Sequence, residues 1–301
     1  MKCKINAVYK KELKTSVRTV HMALTILGYN AVLALIGLLS FYFVFNYSYS
    51  GNVDYSGILQ IYLFLAMIEF GLVLFVVPAF TSSAISGERE KQTLEILLTT
   101  KLSPRQIIHG KLMSSISSTL LLIFSSLPTL ALVFSVGGVR LVNLIQLMLF
   151  CVVTAIFVGS IGIFFSTLFK RTVPSTVFTY GSILLLILGT ILLVYVIYKA
   201  GLHAYDKEFY RANLDIAYVP PGVGNLLLIL LCNPAVSLIS LLATQVGSVG
   251  DLGNLLGNYG KTNSFILMHW YEISIIIQML IALLLLKISS IKLNPIGNKK
   301  K

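Results

Sequence analysis

Charge is what this sequence has least of. Of its 301 residues, 11% are charged and 56% are hydrophobic, whereas a soluble domain carries about 25% charge. Mean hydropathy is +0.88. A water-soluble globular domain is thereby excluded, and lipid is the expected solvent. Cysteine is also scarce. Cys3, Cys151 and Cys232 are odd in number and far apart, which excludes a disulfide framework and a cysteine zinc site. The four histidines (His21, His109, His203, His269) are dispersed and no HExxH occurs, so no metal site is expected. A nucleotide-binding P-loop requires Gly, four residues, then Gly-Lys-Ser/Thr. The nearest approach, "GNYGKT" at 257–262, has Leu255 where the first glycine belongs. The serine of "GSIG" at 159–162 has no neighbouring base, and the segment reads as small residues for close helix packing.

What is present is a series of apolar runs long enough to cross a bilayer, which takes about 20 residues. Six spans are expected, at about 20–45, 58–80, 110–136, 141–168, 176–199 and 265–286. A further apolar stretch, 226–246, contains Asn233-Pro234 at its middle. Proline removes a backbone donor and disfavours helix at the preceding residue, so this stretch reads as a re-entrant or interfacial hairpin. The expected fold is an all-α polytopic membrane protein forming a single domain over 1–301. It comprises a surface helix at 1–19, spans one to five over 20–199, an external loop with a re-entrant segment at 200–264, span six at 265–286 and a basic tail at 287–301.

The 23 Lys and Arg outnumber the 11 Asp and Glu. In a soluble protein this excess would suggest nucleic acid as a partner, but its distribution points to the membrane. All but five of the cations (Arg140, Lys199, Lys207, Arg211, Lys261) fall on one side of a six-span topology. Basic loops stay cytoplasmic, so both termini and the loop at 81–110 are expected inside, in a multi-pass protein of the cell membrane. The polar, basic first 20 residues predict no cleavable signal peptide. Within them, Ile5, Val8, Tyr9, Leu13 and Val17 share one helical half, and Lys10, Lys11, Lys14 and Arg18 the other. Such a helix suits the membrane surface, its cations toward anionic headgroups. Glu12 sits on the apolar half, out of pattern.

The densest charge inside the apolar body is "SGEREKQTLEILL" at 86–98. Read as a helix over 87–98, it groups Leu94, Leu97 and Leu98 on one face and lets Lys91 reach Glu95 at i+4. Next come Ser103, Pro104 and Gln106, a capping box with proline in the first turn, so a new helix starts there and leads into the third span. A cytosolic helix with a leucine face and no domain of its own to bury it calls for a protein partner or the membrane surface.

The run "GEREKQTLEILLTTKLSPRQIIHGKL" resembles the cytoplasmic loop of type-2 ATP-binding-cassette transporter permeases, the type V exporter fold. Glu88, Glu90, Thr93, Leu94, Glu95, Leu97, Leu98, Thr99, Ser103, Arg105, Gly110 and Lys111 match its pattern. Gln92 stands where glycine is common, and Lys101 where proline is common. Lys11-Glu12-Leu13 resembles the family's N-terminal connecting helix, and "CNPAVSL" its Asn-Pro segment before the last span. The resemblance covers the whole chain in order. It implies a non-enzymatic permease of an exporter, with ATP and Mg on a separate cytosolic ATPase subunit and a second permease copy or related permease beside it in the bilayer. It also implies that Glu88, Arg89, Glu90, Thr93, Leu94, Leu97 and Leu98 couple to that ATPase. The same architecture would suit an ATP-driven complex for immunity, sensing or extraction; a polytopic membrane enzyme is the reading of another class.

Glu69 lies in the middle of the second span. Ionisable groups at that depth face a bundle interior or a wet path. Asn30, in the first span, lies about as deep, each being ~15 Å from the cytoplasmic end at 1.5 Å per residue. The two are expected to bond to each other or to line a substrate path.

Overall fold

The structure, a computed structural model, describes residues 7–17, 19–47, 55–100, 102–136, 140–212, 223–246 and 264–293. Arg18, the "GNYGKT" segment and the tail from residue 294 lie outside the described residues. Among those described there is no strand, and the protein is an all-α polytopic membrane protein. The helices are α1 Ala7–Val17, α2 Val20–Tyr47, α3 Tyr55–Thr81, α4 Ser86–Glu90, α5 Thr93–Leu98, α6 Pro104–Val136, α7 Leu141–Leu168, α8 Thr172–Leu184, α9 Thr190–Ala212, α10 Pro234–Val246, α11 Ser264–Met268 and α12 Trp270–Lys292. A π-helical turn, Leu185–Gly189, joins α8 to α9, and a 3₁₀ segment, Gly224–Cys232, precedes α10. Six apolar segments are long enough to span, and the pair around Pro234 is bent by 93°. The fifth extends further than expected: α9 continues to Ala212, so residues 200–212 are helix rather than loop.

The helices cluster into two compact units. The first comprises residues 1–180 and 279–301. In it α3, α6 and α7 pack on one another, α2 packs on α3 and α6, and α1 lies along α6. The most buried span is α7, with 67% of its apolar window covered against 22% for α2, so α7 is the core and α2 the rim. The "GSIG" segment explains how α7 fits. A Cβ on Gly159 would stand 3.1 Å from Leu112, and one on Gly162 would overlap the Thr81 side chain, so the absence of side chains lets α3 and α6 approach.

The second unit comprises residues 181–278. The bend expected at Asn233-Pro234 is there, and Asn233 holds it. Its Oδ1 accepts from the Ala235 N–H at 2.9 Å, while its Nδ2 donates to the Ile187 carbonyl at 2.9 Å and to Thr190 Oγ1 at 2.8 Å. The Ile187 carbonyl belongs to the π turn, where the regular helical ladder is interrupted. One amide side chain thereby satisfies two breaks in helical bonding. Leu227, Leu230, Leu231, Val236 and Trp270 form the apolar core around it.

Candidate coupling site

The segment 82–103 is folded back onto the first unit by polar ties to three helices, α6, α7 and α8. The N–H groups of Ile85 and Ser86, at the start of α4, both donate to Ser166 Oγ of α7, at 2.8 and 3.0 Å. Ser175 Oγ donates to the Ser82 carbonyl at 2.6 Å. Arg89 Nη1 donates to the Phe169 carbonyl at 2.9 Å. A cation thus serves the carbonyls that a helix C-terminus leaves open. Glu90 does the converse at the start of α8, accepting from the Thr172 N–H and from Thr172 Oγ1, both at 2.9 Å; this is an N-cap supplied from another element. Glu88 Oε1 accepts from Lys111 Nζ of α6 at 3.1 Å, and Thr93 Oγ1 donates to its Oε2. Lys111 is 4% exposed and also bonds Glu12 Oε1 of α1 at 2.5 Å. Glu88, Arg89 and Glu90, three consecutive residues, are therefore pinned to α6, α7 and α8.

The single helix expected over 87–98 is two short ones. Gln92 adopts φ 58, the left-handed conformation, which breaks the helix between Lys91 and Glu95. Those residues are therefore not at helical i+4 spacing, and the pair expected between them does not form. The unburied leucine face is corrected as well. Leu94 is 5% exposed and lies in a core with Ile85, Ile107, Ile108, Leu112 and Ile163, with Leu97 and Leu98 packed at its edge. The leucine face meets the chain's own α6 and α7, a partner that periodicity cannot reveal. The apolar residue left outside is Ile96, 68% exposed, among exposed Lys91, Gln92, Glu95, Thr99 and Thr100. The capping box is as expected: the Ser103 N–H donates to Gln106 Oε1 at 2.9 Å and the Gln106 N–H to Ser103 Oγ at 3.3 Å.

The surface helix α1 differs from its expectation in part. Lys10, Lys11 and Lys14 are exposed. Its other side, expected to face the membrane, lies on α6: Val8 is buried, and Tyr9 and Ser117 hydroxyls are 3.1 Å apart. Glu12, out of place on an apolar half, points at Lys111. Between α1, α4–α5 and α6 lies a cleft of about 820 Å³, lined by Lys11, Glu12, Glu88, Lys91, Thr93, Lys111 and neighbouring serines.

Asn30 and Glu69 are not bonded to each other. Asn30 Nδ2 donates to Ser125 Oγ at 2.8 Å and to the Ile26 carbonyl at 2.9 Å. Ser126 Oγ lies 2.7 Å from Glu69 Oε1. Adjacent serines of α6 take one residue each, because α6 packs against both α2 and α3. Among the described residues no group of three or more His, Cys, Asp or Glu could hold a metal ion.

The sequence matches a family described as "ABC-2 family transporter protein" over residues 5–290. Comparison with curated proteins gives no match.

Proposed function

The chain belongs to the ABC-2 transporter family, and from that premise we propose that it is the permease of an ATP-driven exporter whose α4–α5 segment receives motion from a separate cytosolic ATPase. As a family member it is the membrane subunit of an ABC transporter and is not itself catalytic. The observation that carries the coupling role is the set of ties at Glu88, Arg89 and Glu90. A displacement of α4 pulls directly on the near ends of α6, α7 and α8 through these contacts. A loosely attached connector would dissipate such a push. Leu94, Leu97 and Leu98 then act as the root of the lever, and the ATPase docks on its outer side, around Ile96. Lys10, Lys11 and Lys14 hold α1 at the cytoplasmic leaflet, and both termini lie on that side. ATP binding can drive the change only if it has different affinity for the inward- and outward-facing states. A second permease completes the pathway across the bilayer.

The test is co-purification. The tagged chain, purified in mild detergent, should bring down an ATP-hydrolysing subunit whose turnover depends on the permease. Reconstitution of the pair into proteoliposomes then separates net export from ATP-driven extraction or signalling. A chain that purifies alone under all mild conditions, with no hydrolysing partner, would refute the proposal.

A further inference from the structure

The cleft between α1, α4–α5 and α6 carries charges of both signs that do not cancel where they stand. Its volume of about 820 Å³ is in the range of pockets that hold small ligands. On one side Glu12 and Glu88 share a single cation. Lys111 Nζ lies 2.5 Å from Glu12 Oε1 and 3.1 Å from Glu88 Oε1. Two carboxylates on one ammonium leave one negative charge in excess. The Glu12 and Glu88 side chains are 29% and 32% exposed, whereas that of Lys111 is 4% exposed. A ligand entering the cleft therefore meets the carboxylates rather than the ammonium between them.

The other cations of the cleft are uncompensated. Lys11 of α1 and Lys91 at the end of α4 line it and are exposed, and neither makes a salt bridge among the described residues. Ser83, Ser114 and Ser115 line it as well, and their hydroxyls have no hydrogen-bond partner among the described residues. Glu90, the remaining carboxylate, is taken up by the N–H and hydroxyl of Thr172. The three lysines and three glutamates make the lining neutral as a whole, yet it presents an excess negative charge beside two free positive ones. Val8, Phe80 and Leu97 add apolar wall. The cleft lies at the polar end of the third span, since the apolar run of α6 begins just after Lys111. That is the level of lipid headgroups.

We propose that this cleft binds the headgroup of a zwitterionic phospholipid with a primary ammonium. The phosphate accepts from Lys11, Lys91 and the serine hydroxyls, and the ammonium donates to Glu12 and Glu88. A neutral headgroup matches a neutral lining, whereas a net anion would meet the excess carboxylate. A primary ammonium has three N–H donors for these oxygens, and a quaternary one has none. The apolar wall receives the start of the acyl chains. Soluble phosphoethanolamine carries the same chemistry and is the alternative source of the ligand. The site does not depend on the coupling role of α4–α5.

The experiment uses the full chain, stripped of lipid in detergent and titrated with dihexanoyl phosphatidylethanolamine, phosphatidylcholine and phosphatidylglycerol. Native mass spectrometry reads the bound species. Saturable binding of one phosphatidylethanolamine per chain is expected, about tenfold or more tighter than either other lipid, as for loss of a hydrogen bond to a charged group. Lys11→Gln and Lys91→Gln should each weaken that binding about tenfold and leave the unfolding temperature unchanged, since both side chains are exposed. Glu12→Gln removes the excess negative charge and should turn the preference toward the anionic phosphatidylglycerol, a reversal that mere loosening of the fold would not produce. If Glu12→Gln does not accumulate, the two lysine variants decide. Displacement of the lipid by phosphoethanolamine at a similar concentration identifies a soluble ligand as sufficient; displacement by the lipid alone identifies the membrane as the source. Equal binding of the three lipids, tighter binding of phosphatidylglycerol by the wild type, an unchanged order of preference in Glu12→Gln, or wild-type affinity in both lysine variants would overturn the proposal.

Discussion

Glu12 and Lys111 lie 99 positions apart in the chain and 2.5 Å apart in space. The same Lys111 nitrogen reaches Glu88 at 3.1 Å, so one buried cation joins α1, α4 and α6. Removing the cation leaves two carboxylates facing each other. Lys111→Ala should destabilise the protein by about 2–4 kcal/mol, somewhat below the value for a fully buried pair because both carboxylates reach water. Glu12→Gln should cost less than half as much, since Lys111 keeps Glu88. Thermal unfolding in nanodiscs measures both. Equal effects of the two substitutions would show that the three groups do not act as a unit.

Gln92 holds the left-handed turn between α4 and α5. That conformation costs a residue with a Cβ roughly 1 kcal/mol and glycine almost nothing. Gln92→Gly should therefore be neutral or stabilising by up to about 1 kcal/mol, while Gln92→Val, β-branched, should destabilise by more than about 1 kcal/mol. The pair of melting curves decides: a loss on going to glycine would mean that the glutamine side chain makes a contact that matters more than its backbone.

Gly162 sits where a Cβ would overlap Thr81 and lie 2.8 Å from its Cβ, whereas Gly28 has nothing within 4 Å. Both are helical. Gly162→Ala should cost about 1–3 kcal/mol through overpacking. Gly28→Ala should gain up to about 1 kcal/mol from helix propensity. Opposite signs for the same substitution, read by unfolding in one lipid system, are the expected result.

Features that depend on neighbours in sequence were legible from it. The capping box at Ser103 and Gln106 and the break at Asn233-Pro234 are local chemistry, and both formed where the residues predicted. Partners far along the chain were not. Periodicity grouped Leu94, Leu97 and Leu98 correctly but could not say that Ile107, Ile108 and Ile163 would cover them. Glu12 on an apolar stripe was the visible trace of Lys111, since a misplaced charge marks a missing partner. Depth counting placed Asn30 and Glu69 at a similar level, yet serines 125 and 126 of α6 intervene, and serine in an apolar run carries no signal that distinguishes a ligand from a packing residue. Gln92 was legible only as a departure from the pattern the loop resembles; its left-handed backbone is one that glycine adopts at little cost.

The charge distribution predicts sidedness. In a background with Cys3, Cys151 and Cys232 replaced by serine, a cysteine at Lys207 should react with an impermeant reagent added outside intact cells, and cysteines at Lys91 or Lys301 should not. Labelling at 301 from outside would mean that the bent pair around Pro234 crosses the membrane.

The outer face of α5 is where the ATPase is expected to dock, and burial separates that role from the structural one. Ile96 is 68% exposed and Leu94 is 5% exposed, though they are two residues apart. Burying an isoleucine at an interface is worth roughly 1.5–3 kcal/mol, so Ile96→Asp should weaken ATPase binding by about tenfold to a hundredfold. Among the described residues Ile96 is not part of the first unit's core, so the variant should unfold at the wild-type temperature. Leu94→Asp should behave differently. It places an unpaired charge among Ile85, Ile107 and Leu112, so it should loosen α4–α5 and lower the unfolding temperature whether or not an ATPase is present. Adding Glu95→Lys to Ile96→Asp reverses a charge at the rim, and should slow association and alter its salt dependence more than its dissociation. The measurements are retention of the ATPase on the tagged permease and unfolding temperature of the permease alone. Loss of the ATPase from Ile96→Asp with an unchanged unfolding temperature is the expected outcome. Wild-type retention and coupled hydrolysis in Ile96→Asp/Glu95→Lys would place the docking surface elsewhere and leave α4–α5 as a brace among α6, α7 and α8.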